Sequence, residues 1–304
     1  GKYIVESSVV IAHRLKIPTM IIGLTVVAFG TSAPELLVSV QAAIKGFPEM
    51  AMGNVVGSNI SNILLVLAIT ALIFPIPVPA KSVRLDWPVL MFVSLLLFAF
   101  SWDGTLSRTE GLIFILLLLT YLAFSVFSSR RMMKAQLADN ENKSEEGNTS
   151  PEKGMKGWIA GLIFLGSCIG LAFGADLLVD NAAIIAEDFG ISQRVISISM
   201  VAVGTSIPEL TTSAIAAFRK QTDISIGNII GSNIFNLGFV LGITSMVKPL
   251  EVNPMIISFD FYWLFGIALI LMCMMFIPPK LTLSRWKGLV MLSIYLIYLY
   301  IVLQ

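Results

Sequence analysis

Histidine and cysteine are nearly missing: the 304 residues hold one His (His13) and two Cys (Cys168 and Cys273). A lone imidazole cannot build a zinc centre, and no nucleophile–base pair for covalent catalysis is visible. Two thiols in separate apolar runs form neither a disulfide framework nor a thiolate cluster. Charge is scarce as well, with Asp, Glu, Lys and Arg making up 13% of the chain, where an average soluble domain has roughly 25%. The net charge of +1 excludes a nucleic-acid reader that works by overall basicity. Apolar residues dominate instead, at 56%, with a mean hydropathy of +0.87. A globule with so few charges could not cover itself in water, so the chain reads as an all-α polytopic membrane protein.

Apolar runs bounded by Pro, Gly or charge predict about ten spans, each near the roughly 20 residues that a bilayer requires. They fall near residues 3–13, 18–45, 50–74, 87–102, 107–128, 157–187, 192–218, 224–247, 255–277 and 284–303. The one polar stretch, 130–156, is rich in Asn, Glu, Lys and Ser and reads as a disordered linker between units 1–129 and 157–304. Its two glycosylation-like triplets, at Asn142 and Asn148, read as solvated loop, because orientation puts the linker inside the cell. With the linker cytoplasmic, fifteen Lys and Arg lie on that side and five (Lys2, Lys45, Arg108, Arg194 and Lys248) on the other. That bias satisfies the positive-inside rule and puts both termini outside the cell membrane.

The chain repeats itself. Val27-Ala28-Phe29-Gly30-Thr31-Ser32-Ala33-Pro34-Glu35-Leu36 recurs as Val201-Ala202-Val203-Gly204-Thr205-Ser206-Ile207-Pro208-Glu209-Leu210. At the same spacing of 174 residues, Gly53-Asn54-Val55-Val56-Gly57-Ser58-Asn59-Ile60-Ser61-Asn62 recurs as Gly227-Asn228-Ile229-Ile230-Gly231-Ser232-Asn233-Ile234-Phe235-Asn236. Two ungapped matches at one spacing identify duplicated halves. Five spans per half is an odd number, so the second half enters the membrane upside down. Inverted repeats of this kind are typical of secondary transporters, with the substrate site at the repeat interface near the midplane. The same spacing predicts that the first helix lacks roughly 15–20 of its residues.

Glu35 and Glu209 lie centrally in their apolar spans, and an intramembrane carboxylate marks a functional site by default. Two that meet in a dry site cannot both stay ionised unless a cation lies between them. Pro34 and Pro208 each interrupt a helix and should free backbone oxygens around Ala28–Gly30 and Ala202–Gly204. Thr31, Ser32, Thr205 and Ser206 add hydroxyls beside the breaks. Asn54, Ser58 and Asn62, and their copies Asn228, Ser232 and Asn236, recur every four residues along one helical face. Such an all-oxygen set suits Na+, Ca2+ or Mg2+. Taken singly, Ser32-x-x-Glu35 is a capping box and Gly227-x-x-x-Gly231 a packing motif, as is Gly53-x-x-x-Gly57. Duplication of the whole set favours a cation site. Glu6, which aligns with Asp180, and Asp176 lie near helix ends and point less clearly to transport; Asp260 reads as solvated.

Gly30-Thr31-Ser32-x-Pro34-Glu35 and its copy, with Gly-Ser-Asn-Ile following in each half, resemble the two alpha-repeats of the sodium/calcium exchangers of the cation/calcium antiporter superfamily. The resemblance implies an unregulated prokaryotic or archaeal carrier, not an enzyme and without a cofactor, in which Na+ entry drives Ca2+ out by alternating access. Its implied partners are the two ions and the bilayer, with no nucleic acid and no obligate protein. The implied ligands are the carboxylates of Glu35 and Glu209, the hydroxyls of Thr31, Ser32, Ser58, Thr205, Ser206 and Ser232, the carbonyls of Ala28 and Ala202, and the side chains of Asn62 and Asn236. Asn54 and Asn228 are not carried over as ligands. Some members have an aspartate where this chain has Asn236, which removes a third acid and bears on ion stoichiometry. Two other readings remain: a proton/calcium antiporter of the same superfamily, which would titrate the same glutamates, and a cation channel. A membrane scaffold without transport would show no stabilisation by cations.

Overall fold

The repeated residues that break helices set the architecture. A computed structural model describes residues 2–15, 17–141, 156–188 and 202–302, and these are almost entirely helical. The helices are α1 (Lys2–Leu15), α2 (Thr19–Thr31), α3 (Ala33–Lys45), α4 (Pro48–Ile73), α5 (Ser82–Asp103) and α6 (Arg108–Glu141) in the first half. The second half contributes α7 (Gly157–Asp188), α8 (Ala202–Thr205), α9 (Ile207–Phe218), α10 (Thr222–Val247), α11 (Ile256–Phe276) and α12 (Arg285–Val302). Six of them, α4, α5, α6, α10, α11 and α12, are long and apolar enough to cross a bilayer among the described residues. The run expected over 18–45 is divided at Ser32 into α2 and α3, and the run over 192–218 is divided at Ser206 into α8 and α9. The part of the latter over 192–201 lies outside the described residues.

Two helices form the centre. The apolar windows of α4 and α10 are 78% and 89% buried, whereas those of α5, α6, α11 and α12 are 28–33% buried and turn most of their apolar surface outward. Around the two central helices the packing is reciprocal. The α3 helix rests on α4 and on the end of α10, and α9 rests on α10 and on the end of α4. Likewise α6 packs on the end of α10 and α12 on the end of α4. Two short antiparallel ladders tie the halves outside this core: β1 (Ile76–Pro77) pairs with β4 (Thr282–Leu283), and β2 (Thr105–Leu106) with β3 (Leu250–Glu251).

Close approach of α2 and α10 depends on glycine. A Cβ at Gly227 would lie 2.5 Å from the Met20 carbonyl oxygen, and one at Gly231 would lie 2.6 Å from that of Leu24. The small-residue motif of the second half therefore packs a helix against a helix. In the first half, a Cβ at Gly53 would meet no described residue within 4 Å, and the segment that the repeat sets opposite it, 194–198, lies outside the described residues.

The α6 helix continues through Glu141, well past its apolar part, so residues 130–141 are helix where a disordered linker was expected. Met132, Met133, Lys134, Ala135, Gln136, Leu137 and Ala138 are good helix formers, and their intrinsic preference extends a helix already nucleated upstream. Residues 142–155, with both glycosylation-like triplets, lie outside the described residues. Lys287, counted above with the loop cations, is fully buried. Its Nζ donates to the carbonyls of Ile277, Pro279 and Thr282 at 2.8–2.9 Å and so fixes the α11–α12 connection.

Replacing Gly231 with alanine should force α2 and α10 apart and lower the melting temperature clearly, by roughly 1–3 kcal/mol of stability as for other overpacked contacts. Gly53→Ala, whose new Cβ meets no described residue within 4 Å, should cost less stability than Gly231→Ala. A thermal melt of both variants in detergent checks the contrast.

Candidate functional site

The helix breaks fall beside the glutamates. Ser32 leaves the helical conformation at φ −84°, ψ 6°, and Ser206 does so at φ −82°, ψ 1°. Pro34 and Pro208 follow within the first turn of α3 and α9, where a missing N–H is tolerated and a continuous helix is not. Glu35 and Glu209 then lie in the first turns of the two helices, each 0% exposed, near enough for one carboxylate to feel the other's charge. A carboxylate there also faces the positive end of its helix.

The serines do not cap. Neither Ser32 nor Ser206 makes a side-chain bond to its own helix, which removes the capping-box reading. Instead the Ser32 hydroxyl crosses between the halves and donates to Glu209 Oε1 at 3.3 Å, and Ser232 donates to the same oxygen at 3.2 Å. Thr31 lies 3.3 Å from Ser232, and Ser58 lies 3.1 Å from Thr205. Glu35, Thr31, Ser32, Ser58, Thr205, Ser206, Glu209 and Ser232 thus come together from α2, α3, α4, α8, α9 and α10, and all of them are buried.

A second layer, absent from the expected ligand set, holds the first. Thr31 donates to Asn228 Oδ1 at 3.1 Å, and Asn228 Nδ2 donates to Ser213 at 3.0 Å. The mirrored chain runs from Thr205 to Asn54 Oδ1 at 3.2 Å and from Asn54 Nδ2 to Ser39 at 3.0 Å. Each amide therefore bridges a threonine of the other half to a serine of its own. Ser39 and Ser213 carry the same spacing of 174 residues as the motifs, and that repetition was the signal that could have found them. Asn62 and Asn236, one turn beyond Ser58 and Ser232, open π-helical turns over Asn62–Val66 and Asn236–Val240. Such turns are rare and concentrate at functional sites.

The site is short of partners. Both carboxylate oxygens of Glu35, Oε2 of Glu209, the Ser206 hydroxyl and both amide atoms of Asn62 and of Asn236 are buried without a hydrogen bond. Buried polar atoms are nearly always paired, and each unpaired one costs about 1–3 kcal/mol. Concentrated around two carboxylates, they form an oxygen-rich pocket short of positive charge. No group of three or more His, Cys, Asp or Glu exists among the described residues, so hydroxyls and amides supply most of this oxygen.

Two expectations change. The Ala28 carbonyl is not freed by the break: it accepts from the Ser32 N–H at 2.9 Å and from the Thr31 hydroxyl at 3.4 Å. The missing N–H of Pro34 falls one turn after Gly30 instead, because the helix resumes at Ala33. Ala202 begins α8, and its side chain lies outside the described residues, as do those of Asp176 and Asp180. Away from the site, Glu6 forms an ion pair with Arg219 at 2.6 Å that joins α1 to the end of α9. Asp260, expected to be solvated, is partly buried and accepts from the Tyr298 hydroxyl at 3.2 Å.

A family model described as sodium/calcium exchanger protein matches residues 1–127 and 159–304. Sodium/calcium exchanger MaX1 of Methanosarcina acetivorans is 32% identical over 98% of this chain and 92% of its own length. Inner membrane protein YrbG of Escherichia coli is 36% identical over 85% of this chain and 78% of its own. A solved structure of the sodium-calcium exchanger NCX_Mj superposes with a TM-score of 0.78 at 30% identity, covering 97% of this chain and 90% of that one.

Asn228→Ala should leave Thr31 and Ser213 without their shared partner and lower the melting temperature by an amount equivalent to about 1–3 kcal/mol. Asn228→Ala combined with Thr31→Val should recover part of the loss, since an apolar pair leaves fewer orphaned groups. Additive losses in a double-mutant cycle would argue against the bridge.

Proposed function

Because the chain belongs to the sodium/calcium exchanger family, we propose that it exchanges Na+ for Ca2+ across a membrane by alternating access, with both ions using the Glu35–Glu209 pocket. The observation that carries this reading is the cluster of unpaired oxygens around the two carboxylates. As substrates, Ca2+ and Na+ are hard cations that take oxygen ligands, and the side chains gathered around the two carboxylates are oxygen donors. Glu35 and Glu209 supply the charge; Thr31, Ser32, Ser58, Thr205, Ser206 and Ser232 supply hydroxyls; Asn62 and Asn236 supply amide oxygens; and Ala28 and Ala202 supply carbonyls. The Ala28 carbonyl already accepts from the Ser32 N–H and the Thr31 hydroxyl, so it would take this role by giving up the longer contact, to Thr31 at 3.4 Å.

The architecture in this proposal is ten spans in two inverted halves, 1–129 and 157–304. The reciprocal packing about α4 and α10 supports it, as does the recurrence of every threonine–asparagine–serine chain at one spacing. The cytoplasmic side is the one that carries residues 130–156, on the strength of the Lys and Arg bias.

Coupling follows from charge. With no cation the pocket holds two carboxylates, and carrying uncompensated charge through the bilayer is expensive. One Ca2+ or two Na+ neutralise it, so the carrier turns over loaded and exchanges ions without leaking them. A third Na+ would add a net charge to each cycle and couple it to voltage, at about 2.3 kcal/mol per charge per 100 mV. The proton/calcium alternative would use the same glutamates, but the Thr31-Ser32 and Thr205-Ser206 hydroxyl pairs favour Na+.

In proteoliposomes, 45Ca2+ uptake should be driven by an outward Na+ gradient and not by a pH gradient or a K+ gradient imposed alone. Uptake under the pH gradient in Na+-free buffer would transfer the assignment to proton exchange, and uptake without any counter-ion would indicate a channel. Glu35→Gln or Glu209→Gln should reduce Na+-driven uptake to background while the protein still elutes as a folded species. Flux like that of the unmodified protein in either variant would overturn the site.

A further inference from the structure

Three pairs of polar contacts around the glutamates obey the repeat. Thr31 to Asn228 and Thr205 to Asn54 measure 3.1 and 3.2 Å. Asn228 to Ser213 and Asn54 to Ser39 measure 3.0 Å each. Thr31 to Ser232 and Thr205 to Ser58 measure 3.3 and 3.1 Å. The side-chain contacts to the carboxylates occur once, as does the longer contact from Asn54 Nδ2 to the Glu35 backbone carbonyl at 3.4 Å. Glu209 receives Ser32 and Ser232, while Glu35, which symmetry would give Ser206 and Ser58, receives neither. Ser206 Oγ is 1% exposed at the residue level and has no partner at all.

Chemistry does not explain the difference, because Thr-Ser-x-Pro-Glu and Gly-Ser-Asn-Ile are the same in both halves. Side-chain placement describes it instead. A hydroxyl can turn its proton freely, yet neither Ser58 nor Ser206 brings its oxygen within hydrogen-bond distance of Glu35. Ser58 instead lies 3.1 Å from Thr205. Moving the Ser58 and Ser206 side chains toward Glu35, and those of Ser32 and Ser232 away from Glu209, generates the mirrored arrangement from the same residues.

We propose that Ser32 with Ser232, and Ser206 with Ser58, are alternating clamps: each pair holds one glutamate in one facing state of the carrier and releases it in the other. The inference rests on the antiport reading above and adds to it a positioning role, in which the serines set the balance between the two faces besides touching ions. Packed interfaces with two discrete arrangements are the elements that carry such transitions. By the repeat, the two arrangements are close in energy, so one hydrogen bond is enough to bias them.

The test is 45Ca2+/40Ca2+ self-exchange in oriented proteoliposomes, with Ca2+ half-saturation measured separately at each face. Self-exchange needs neither Na+ nor protons, so the identity of the counter-ion does not enter, and its absence in the unmodified protein would count against antiport itself. Apparent affinity at a face scales with the fraction of carriers open to it. Losing an ion ligand weakens both faces alike and cancels in their ratio, whereas losing a clamp moves the ratio. Ser32→Ala and Ser232→Ala should shift the ratio in one direction, and Ser206→Ala and Ser58→Ala in the other, each by about five-fold for one hydrogen bond. A ratio that stays constant in all four variants, or that moves the same way in all four, would overturn the proposal. Because both serines of each pair are tested, a single variant that fails to fold leaves the prediction intact.

Discussion

Two carboxylates buried within reach of each other's charge have too few donors of their own, and the rest of the structure is arranged around that shortage. Glu35 and Glu209 are fully buried, and between them they accept hydrogen bonds at a single oxygen. Like charges at short range in a medium of low dielectric repel strongly, and desolvation adds to the penalty. A cation relieves both. The surrounding hydroxyls and amides are few in protons and rich in lone pairs, so they suit an ion better than they suit the carboxylates.

Holding such a pocket open requires a stiff frame, because orphaned polar groups would otherwise collapse onto one another. The frame consists of the central pair α4 and α10, the glycine contacts that bring α2 against α10, and the amide bridges of Asn54 and Asn228. Each amide joins the two halves at the level of the glutamates, which fixes the threonines and leaves the serines as the adjustable groups. The helix breaks at Ser32 and Ser206 put those serines in the irregular backbone between two helical segments. Non-helical backbone at membrane depth is tolerated where protein encloses it, as it is here.

Asn62 and Asn236 are both amides, so in the proposed site the charge rests on Glu35 and Glu209, and one Ca2+ or two Na+ would balance it. On that reading any further Na+ would be held by neutral oxygen alone, from hydroxyls, carbonyls and the two amides. Binding of that kind is weaker and more sensitive to geometry, so the serine positions would bear on ion count as well.

Much of this was legible without coordinates. Composition alone required a membrane, since thirteen charged residues in a hundred cannot cover a globule of this length. The spacing of 174 residues identified related segments, and the two central acids marked the candidate site, because periodicity and the cost of burying charge are local properties of a chain. Other features depended on which atoms meet. Ser32 reads equally well as a cap and as a ligand until Glu209 is seen within reach from the other half. Gly227 reads as one small residue of a motif until its contact with the Met20 carbonyl is seen. The Ala28 carbonyl looked free because Pro34 lacks an N–H, but the helix persisted to Ser32 and used it. Residues 130–141 looked like linker by polarity, and a helix already under way carried them along. A chain written in two matching halves determines which residues face a shared axis. Which of the two glutamates receives the serine hydroxyls is a long-range choice that only the folded molecule makes.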